Sequence, residues 1–470
     1  MDTLWNETNI KELVSLQRGY FNSGVTLPIS FRIEMLRKLK QMVINYESDI
    51  ATALKEDLGR DYVEAYFCDV GSIILEINET LKGIKRWAKP ERHYSGMVCF
   101  PSFLTKVYKM PYGVSLIISP FNFPFLLSIG VLIASIAGGN TSVIKASSKS
   151  VSSTKLLIKM ISETFDKKYI AVIDGGHDIA DICLAQRFDK IFYTGSPKVA
   201  KHVMECASKN LTSVALELGG ETGNWCVIRK DADIKDAARK IAFFKACNSG
   251  QVCININQIA VASEVAELFI QELKKAFISQ LGEKISTNKE YAKLINKGAF
   301  DYCISEMNEY KDRIVFGGDY DETSLKISPT IIYPVDINEP IVNHELFNPL
   351  LPIVSYPDNE VEKLFDVISS REHGLALYIF TKDKKWATKK MSSMQFGGGC
   401  INEVTLHMMV KGAPFNGVGH SGMGAYHGKW GFNEFTHPST VLYGSTHFNL
   451  SIREHPYNKK KLKRLKKYEK

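Results

Sequence analysis

Spacing of the CxxC type is missing from this sequence: its nine cysteines are odd in number and scattered from Cys68 to Cys400. Such a pattern implies neither a disulfide framework nor a zinc site, so no metal is expected and a reducing compartment fits. Also missing is a basic start followed by a long apolar run. The chain opens MDTLWNETNIKELVSL, so export is not expected and the cytoplasm is the expected location. The turn after the strand at 190–194 is not a GxGxxG, since Gly195 is followed by Ala200 at the matching later position, so the common glycine-rich dinucleotide cradle is absent there. Internal repeats are absent too, and low complexity is confined to the end of the chain.

Charge of one sign is scarce once its position is considered. The net charge is +8, but KKKLKRLKKYEK at 459–470 holds eight Lys or Arg and one Glu, which leaves the body at +1. A neutral body lacks the footprint of a domain that tracks phosphates, and no nucleic-acid reading motif accompanies the tail. Leu462, Leu465 and Tyr468 would form a narrow apolar stripe if the tail were helical, suiting weak contact with an anionic membrane. A plain solvated tail competes with that reading.

What is present is ordinary for a soluble globular chain: 45% hydrophobic and 23% charged residues over a length of 470, enough for two lobes. The 35 residues between Lys109 and Lys145 carry no formal charge. Pro120, Asn122, Pro124 and the glycines divide that run into a strand, a turn, a helix of about 15 residues and another strand. This is how a buried βαβ unit reads, and a membrane span is rejected. Strands are expected at 114–119, 141–145, 169–174, 190–194 and 213–218, with room for a helix between each pair. A second alternation has strands at 224–228, 258–262, 330–335, 375–380 and 399–403. The pattern predicts an α/β fold with two doubly wound parallel-sheet lobes joined near Glu217 and Leu218. Residues 91–109 and about 430–449 fit neither alternation and read as extended segments that pair outside the lobes.

Three motifs carry chemistry. Asn248-Ser249-Gly250-Gln251-Val252-Cys253 is a small, polar approach to a cysteine after a helix at about 233–246; taken alone, a buried packing cysteine is the competing reading. Cys247 is read as a packing residue. Leu216-Glu217-Leu218-Gly219-Gly220 ends an apolar strand on an acid whose pKa desolvation would raise toward that of a general base; a structural salt bridge competes. Pro120-Phe121-Asn122-Phe123-Pro124 follows the first long parallel strand, where open α/β sheets bind ligands. The Asn122 amide can donate to an oxyanion there, or cap the next helix. Gly195 and Ser196 precede a helix near 197–208, whose N-terminus suits a pyrophosphate.

Together with VIKASS (143–148), FYTGS (192–196), ELFNPLLPI (345–353) and PFNGVGHSGMG (414–424), these motifs resemble the aldehyde dehydrogenase superfamily over nearly the whole chain. QRFDKIFYTGS (186–196) and MGAYHGKWGFNEFTH (423–437) are most similar to its class 3 branch, which acts on medium-chain, fatty and aromatic aldehydes. The resemblance implies a Cys253 nucleophile, an oxyanion site from the Asn122 amide and the Cys253 N–H, and Glu217 as the base that activates hydrolytic water. It implies NAD or NADP as cofactor, with Lys145 at the adenosine ribose and Glu345 and Phe347 at the nicotinamide. A helix-surface acid is the competing reading for Glu345. The implied organisation is a Rossmann-like cofactor domain at 1–90 and 110–217 and a catalytic domain at 218–425. Oligomerisation segments at 91–109 and 426–455 would support a homodimer, and 456–470 is the basic tail.

Two departures from the family pattern stand out. Ala146 replaces the usual proline, and Ser148 stands where many NAD enzymes have Glu, so NADP use is expected. Glu217 and Cys253 are 36 residues apart, about two more than usual, and the extra residues are placed in 221–230. Phe121, Phe123, Tyr66 and Phe435 are candidates for an apolar aromatic entrance. Rivals remain: a relative that passes the acyl group to coenzyme A, a reductive enzyme, or a catalytically silent member of the fold. Glu217 argues against the first, and the presence of Cys253, Asn122 and Glu217 together argues against the last.

Overall fold

The computed structural model describes residues 5–96, 99–448 and 450–467. Its first large sheet has the order Gly422–Met423, Ser213–Leu218, Lys190–Gly195, Val114–Ile118, Thr141–Lys145, Ile170–Ile173. The last five are mutually parallel, and Gly422–Met423 runs antiparallel at the edge. Chain order runs outward in both directions from Val114–Ile118. The topological switch therefore lies between that strand and Lys190–Gly195, where loops part and a ligand crevice opens. The charge-free run resolves as expected: every residue of the helix Leu126–Gly138 is buried, and so is every residue of Thr141–Lys145. No helix of the described residues is long and apolar enough to cross a membrane.

The second sheet has seven strands in the order Ile314–Phe316, Thr330–Ile332, Leu350–Tyr356, Ile256–Ala262, Asn224–Ile228, Ala376–Phe380, Gly398–Ile401. Only Ile314–Phe316 is antiparallel to its neighbour. Two of these strands are not expected from the sequence, and a third is shorter than expected. Leu350–Tyr356 contains Pro352, which lacks the N–H a central strand normally uses. The strand nevertheless sits in the middle because it changes partner there: Leu350 to Pro352 register with Thr330–Ile332, and Ile353 to Tyr356 with Ile259–Ala262. The short edge strand Ile314–Phe316 has no apolar alternation to reveal it. Thr330–Ile332 stops before Pro334, shorter than the expected 330–335.

Outside both lobes, Glu91–Tyr94, Leu104–Pro111 and Thr436–Tyr443 form a three-stranded antiparallel sheet. The expectation of an extended segment from about 430 fails for its first residues, which belong to the helix Gly428–Glu434. That helix buries Phe432 beside Trp87, with ring centroids 6.1 Å apart. Gly431 lets it lie against Ala134, where a Cβ would stand 2.9 Å from the alanine methyl.

Candidate active site

Arg60 and Asp69 organise the catalytic loops, and both are fully buried. Arg60 donates to Asp69 Oδ2 at 2.6 Å, to Asn248 Oδ1 at 2.9 Å and to the Asn122 carbonyl. Asp69 Oδ1 accepts the Leu126 N–H at 2.8 Å, which anchors the start of the Leu126–Gly138 helix. One ion pair thus ties the Pro120 to Phe125 loop to the approach to Cys253. Sequence reasoning missed it, because an arginine followed by polar residues reads as surface.

The approach itself is backbone-strained. Asn248, Ser249 and Gly250 take φ of 49, 52 and 79°, in the left-handed region. Left-handed backbone costs about 1 to 2 kcal/mol per non-glycine residue, so side-chain bonds must hold it. Asn248 Nδ2 donates to the Asn122 and Gln251 carbonyls at 3.1 and 3.0 Å, and Ser249 Oγ donates to Tyr291 Oη at 3.1 Å. Gly250 is required for space as well: a Cβ would meet the Asn348 carbonyl at 2.2 Å. Beyond the turn, Asn224 Nδ2 donates to the Cys253 and Asn255 carbonyls at 2.8 and 2.9 Å.

This scaffold brings the three sequence candidates to one place. Asn122 and Glu217 are each 2% exposed, and Asn122 Nδ2 spends one N–H on the Gln251 carbonyl at 3.1 Å, leaving the other for a ligand. Asn122 does not cap the following helix, whose N-cap is Phe125. Glu217 makes no salt bridge among the described residues, and neither carboxylate oxygen has a hydrogen-bond partner there. Burial pushes its carboxyl up to about 7; the facing Cys253 thiol, short of full hydrogen-bond geometry, and His427 pull weakly the other way. Burial likewise pushes the Cys253 thiol up, followed by the charge of Glu217.

Glu345 lies on the loop after the short helical turn Pro340–Val342, not on a helix surface. Burial, then Glu217, raises its carboxyl to about 8. Its carboxylate occupies the space a Cβ on Gly219 would take, 1.8 Å from Oε1, which explains a glycine two residues after Glu217. Phe347, at φ 47°, holds its ring edge-on to Phe121 with centroids 5.9 Å apart.

A groove of about 660 Å³ runs along the switch point from Lys145, Ser147 and Ser148, past Gly195 and Ser196, to Glu345, Phe347 and Cys253. Lys145 Nζ donates to the Ala146 and Gly175 carbonyls at 2.9 and 2.7 Å, and its burial lowers its pKa. Two helices start at the groove, His177–Ala185 and Pro197–Ser208, and Ser196 caps the second. Their free N–H groups and positive dipole ends fit an anionic diphosphate, and Gly195 keeps the wall open where a Cβ would strike Tyr193 Oη at 2.2 Å. The residues present therefore fit a dinucleotide.

On its other side Cys253 lines a narrow, mainly apolar cavity of about 60 Å³, together with Phe67, Phe123, Phe244, Met408 and Tyr426. Among the described residues, Cys253 alone lines both spaces. Of the aromatic entrance expected from sequence, only Phe123 lines this cavity; Phe121 faces the groove. Phe435 is fully buried against Phe192, and Tyr66 points elsewhere on its helical turn. Phe67, adjacent to Tyr66, takes that place, because a π-helical turn at Tyr66–Val70 shifts the helix face.

The aldehyde dehydrogenase family model matches residues 4–441. Aldehyde dehydrogenase family 3 member H1 of Arabidopsis thaliana is 36% identical, over 98% of this chain and 95% of its own. The dimeric NADP-preferring aldehyde dehydrogenase of Canis lupus familiaris is 36% identical, over 93% of this chain and 94% of its own. A solved structure of Staphylococcus aureus AldH in its substrate-bound state superposes with a TM-score of 0.94 at 36% identity, covering 98% and 99% of the two chains. The chain belongs to the aldehyde dehydrogenase family, in its class 3-like branch.

Proposed function

We propose that the protein oxidises apolar aldehydes to carboxylic acids with NADP or NAD, using Cys253 as nucleophile, Asn122 as oxyanion donor and Glu217 as base. The observation that carries this reading is Cys253 standing between the dinucleotide-sized groove and the apolar cavity, facing a buried carboxylate that has no other partner among the described residues. The Cys253 thiol gives up its proton to solvent, and the thiolate Sγ bonds to the aldehyde carbon while the carbonyl π pair moves onto the oxygen. The oxyanion that forms is met by the free Asn122 N–H and the Cys253 backbone N–H. When bound, the nicotinamide supplies the hydride acceptor. Lys145, Gly195, Ser196, Glu345 and Phe347 would hold the dinucleotide. The resulting thioester is cleaved by water whose proton passes to Glu217, which releases the acid and regenerates the thiol. The apolar lining supports apolar substrates, since a charged aldehyde would lose hydration there without gaining a partner.

NADP is the favoured cofactor in this reading. Strand Thr141–Lys145 delivers Lys145, Ala146, Ser147, Ser148 and Lys149, and no acid follows it to repel a 2′-phosphate. With one saturating aldehyde, kcat/KM for NADP is expected to equal or exceed that for NAD. A preference for NAD above about tenfold, roughly 1.4 kcal/mol, overturns this. Ser148→Glu should shift the ratio toward NAD by restoring the repulsion.

A homodimer in the cytoplasm completes the proposal. Thr436–Tyr443 is an edge strand that exposes Val441 and Leu442, the kind of edge a second copy covers. All nine cysteines are free thiols, which suits a reducing compartment. The tail forms a short exposed helix, Lys459–Leu465, with Leu462 and Leu465 outward; Tyr468 lies outside the described residues. Weak attraction to anionic vesicles is expected for the full chain and not for residues 1–455, and high salt should abolish it. Equal sedimentation of both proteins with vesicles ends that part of the proposal.

A further inference from the structure

Glu64, Cys68 and Cys247 converge beside the catalytic loop although Cys68 and Cys247 are 179 positions apart, so no sequence spacing reveals the group. Cys68 Sγ is 3.8 Å from Cys247 Sγ, and Cys247 Sγ is 3.5 Å from Glu64 Oε1. A tetrahedral zinc ion, with Zn–S of about 2.3 Å and Zn–O of about 2.0 Å, has S···S and S···O edges of about 3.8 and 3.5 Å. All three ligand atoms lie within 4.8 Å of one another, so the remaining edge exceeds the tetrahedral value by about 1.3 Å at most.

The placement of each ligand is specified. Cys68 sits in the π-helical turn Tyr66–Val70, an uncommon geometry that concentrates at functional sites. Glu64 is fixed by the Asn248 N–H, which donates to Oε1 at 2.6 Å. Cys247 begins the turn that leads to Cys253. Both cysteines line the apolar cavity, which leaves a fourth coordination position open toward it. Arg60, whose charge acts on Glu64 and both cysteines, is paired with Asp69.

We propose that Glu64, Cys68 and Cys247 form a binding site for a thiophilic divalent cation of the zinc class, with its open position facing the cavity that ends at Cys253. Binding exchanges two protons for one ion: M²⁺ joins two thiols to give the dithiolate complex and two H⁺, so affinity rises with pH. An ion held there obstructs the cavity and couples the π-helical turn to the catalytic loop. That inhibitory consequence rests on the cavity being the aldehyde site, whereas binding of the ion does not.

Cobalt(II) titration of the full chain carrying Cys253→Ala, under a phosphine reductant, tests binding without turnover and without the nucleophile's own thiol. The expected result is one equivalent bound, with a sulfur-to-cobalt charge-transfer band, intense tetrahedral d–d absorption and displacement by zinc. Cys68→Ser and Cys247→Ser placed on that background should each weaken binding at least tenfold and reduce the charge-transfer intensity. Retained NADPH binding shows that these variants are folded, and Glu64→Gln, which keeps both thiols, should weaken binding while sparing the charge-transfer band. Absence of the band in the Cys253→Ala protein, or undiminished affinity when both Cys68 and Cys247 are serine, overturns the site.

Discussion

Cys253→Ala should lower aldehyde oxidation on the order of 10⁴-fold while leaving the fold and NADPH binding intact. The loss is large because the thiol forms the covalent bond on which both halves of the reaction depend. The fold survives because the loop is held through backbone and neighbouring side chains: Asn224 grips the Cys253 carbonyl, and Arg60 and Asn248 hold the turn before it. Removing Sγ deletes one atom at the meeting of two open spaces, so little packing is lost. Fluorescence titration with NADPH, a thermal melt and NADPH formation from a saturating aldehyde measure the three quantities. Turnover above about 1% of wild type would mean that another group supplies the nucleophile, with Cys247 and Cys68 in the same cavity as the first suspects.

Much of this site was legible because short polar motifs interrupt long apolar strands. Thr141–Lys145, Ser213–Leu218 and Asn224–Ile228 match their expected bounds because strands buried on both faces are near-continuous apolar runs. The reading failed where packing overrides local pattern. Pro352 disguised a central strand, and a π-helical turn exchanged Phe67 for Tyr66 at the cavity. Arg60 and Asp69 were invisible because a buried ion pair carries the same letters as a solvated one. Their role emerges only when the chain folds Asn122 and Asn248 onto the same guanidinium. Glu345 was legible only through the family motif, since nothing local says that Gly219 makes room for its carboxylate.

Glu217→Gln should separate the two halves of the reaction and reveal an opposition between catalysis and stability at one residue. Acylation needs the thiol and the oxyanion donors, so a first-turnover burst of NADPH is expected to persist. Hydrolysis of the thioester needs the base, so the steady state should fall by about 10²- to 10⁴-fold. With the wild-type carboxyl near 7, the wild-type steady-state rate should rise as pH increases through that value, and the variant should lose this limb. Stability runs the other way. Because folding raises this carboxyl from 4.5 to about 7, its contribution is fully present below pH 4.5 and lost as pH rises through 7. Gln stays neutral throughout, so the variant should gain relative to wild type between pH 5 and 8, by an amount on the order of 3 kcal/mol at 1.36 kcal/mol per pH unit. Melting temperatures of both proteins across that range measure the gain. An unchanged steady-state rate removes Glu217 from the mechanism, and a Tm difference that does not grow with pH shows that its carboxylate is better solvated than its burial implies.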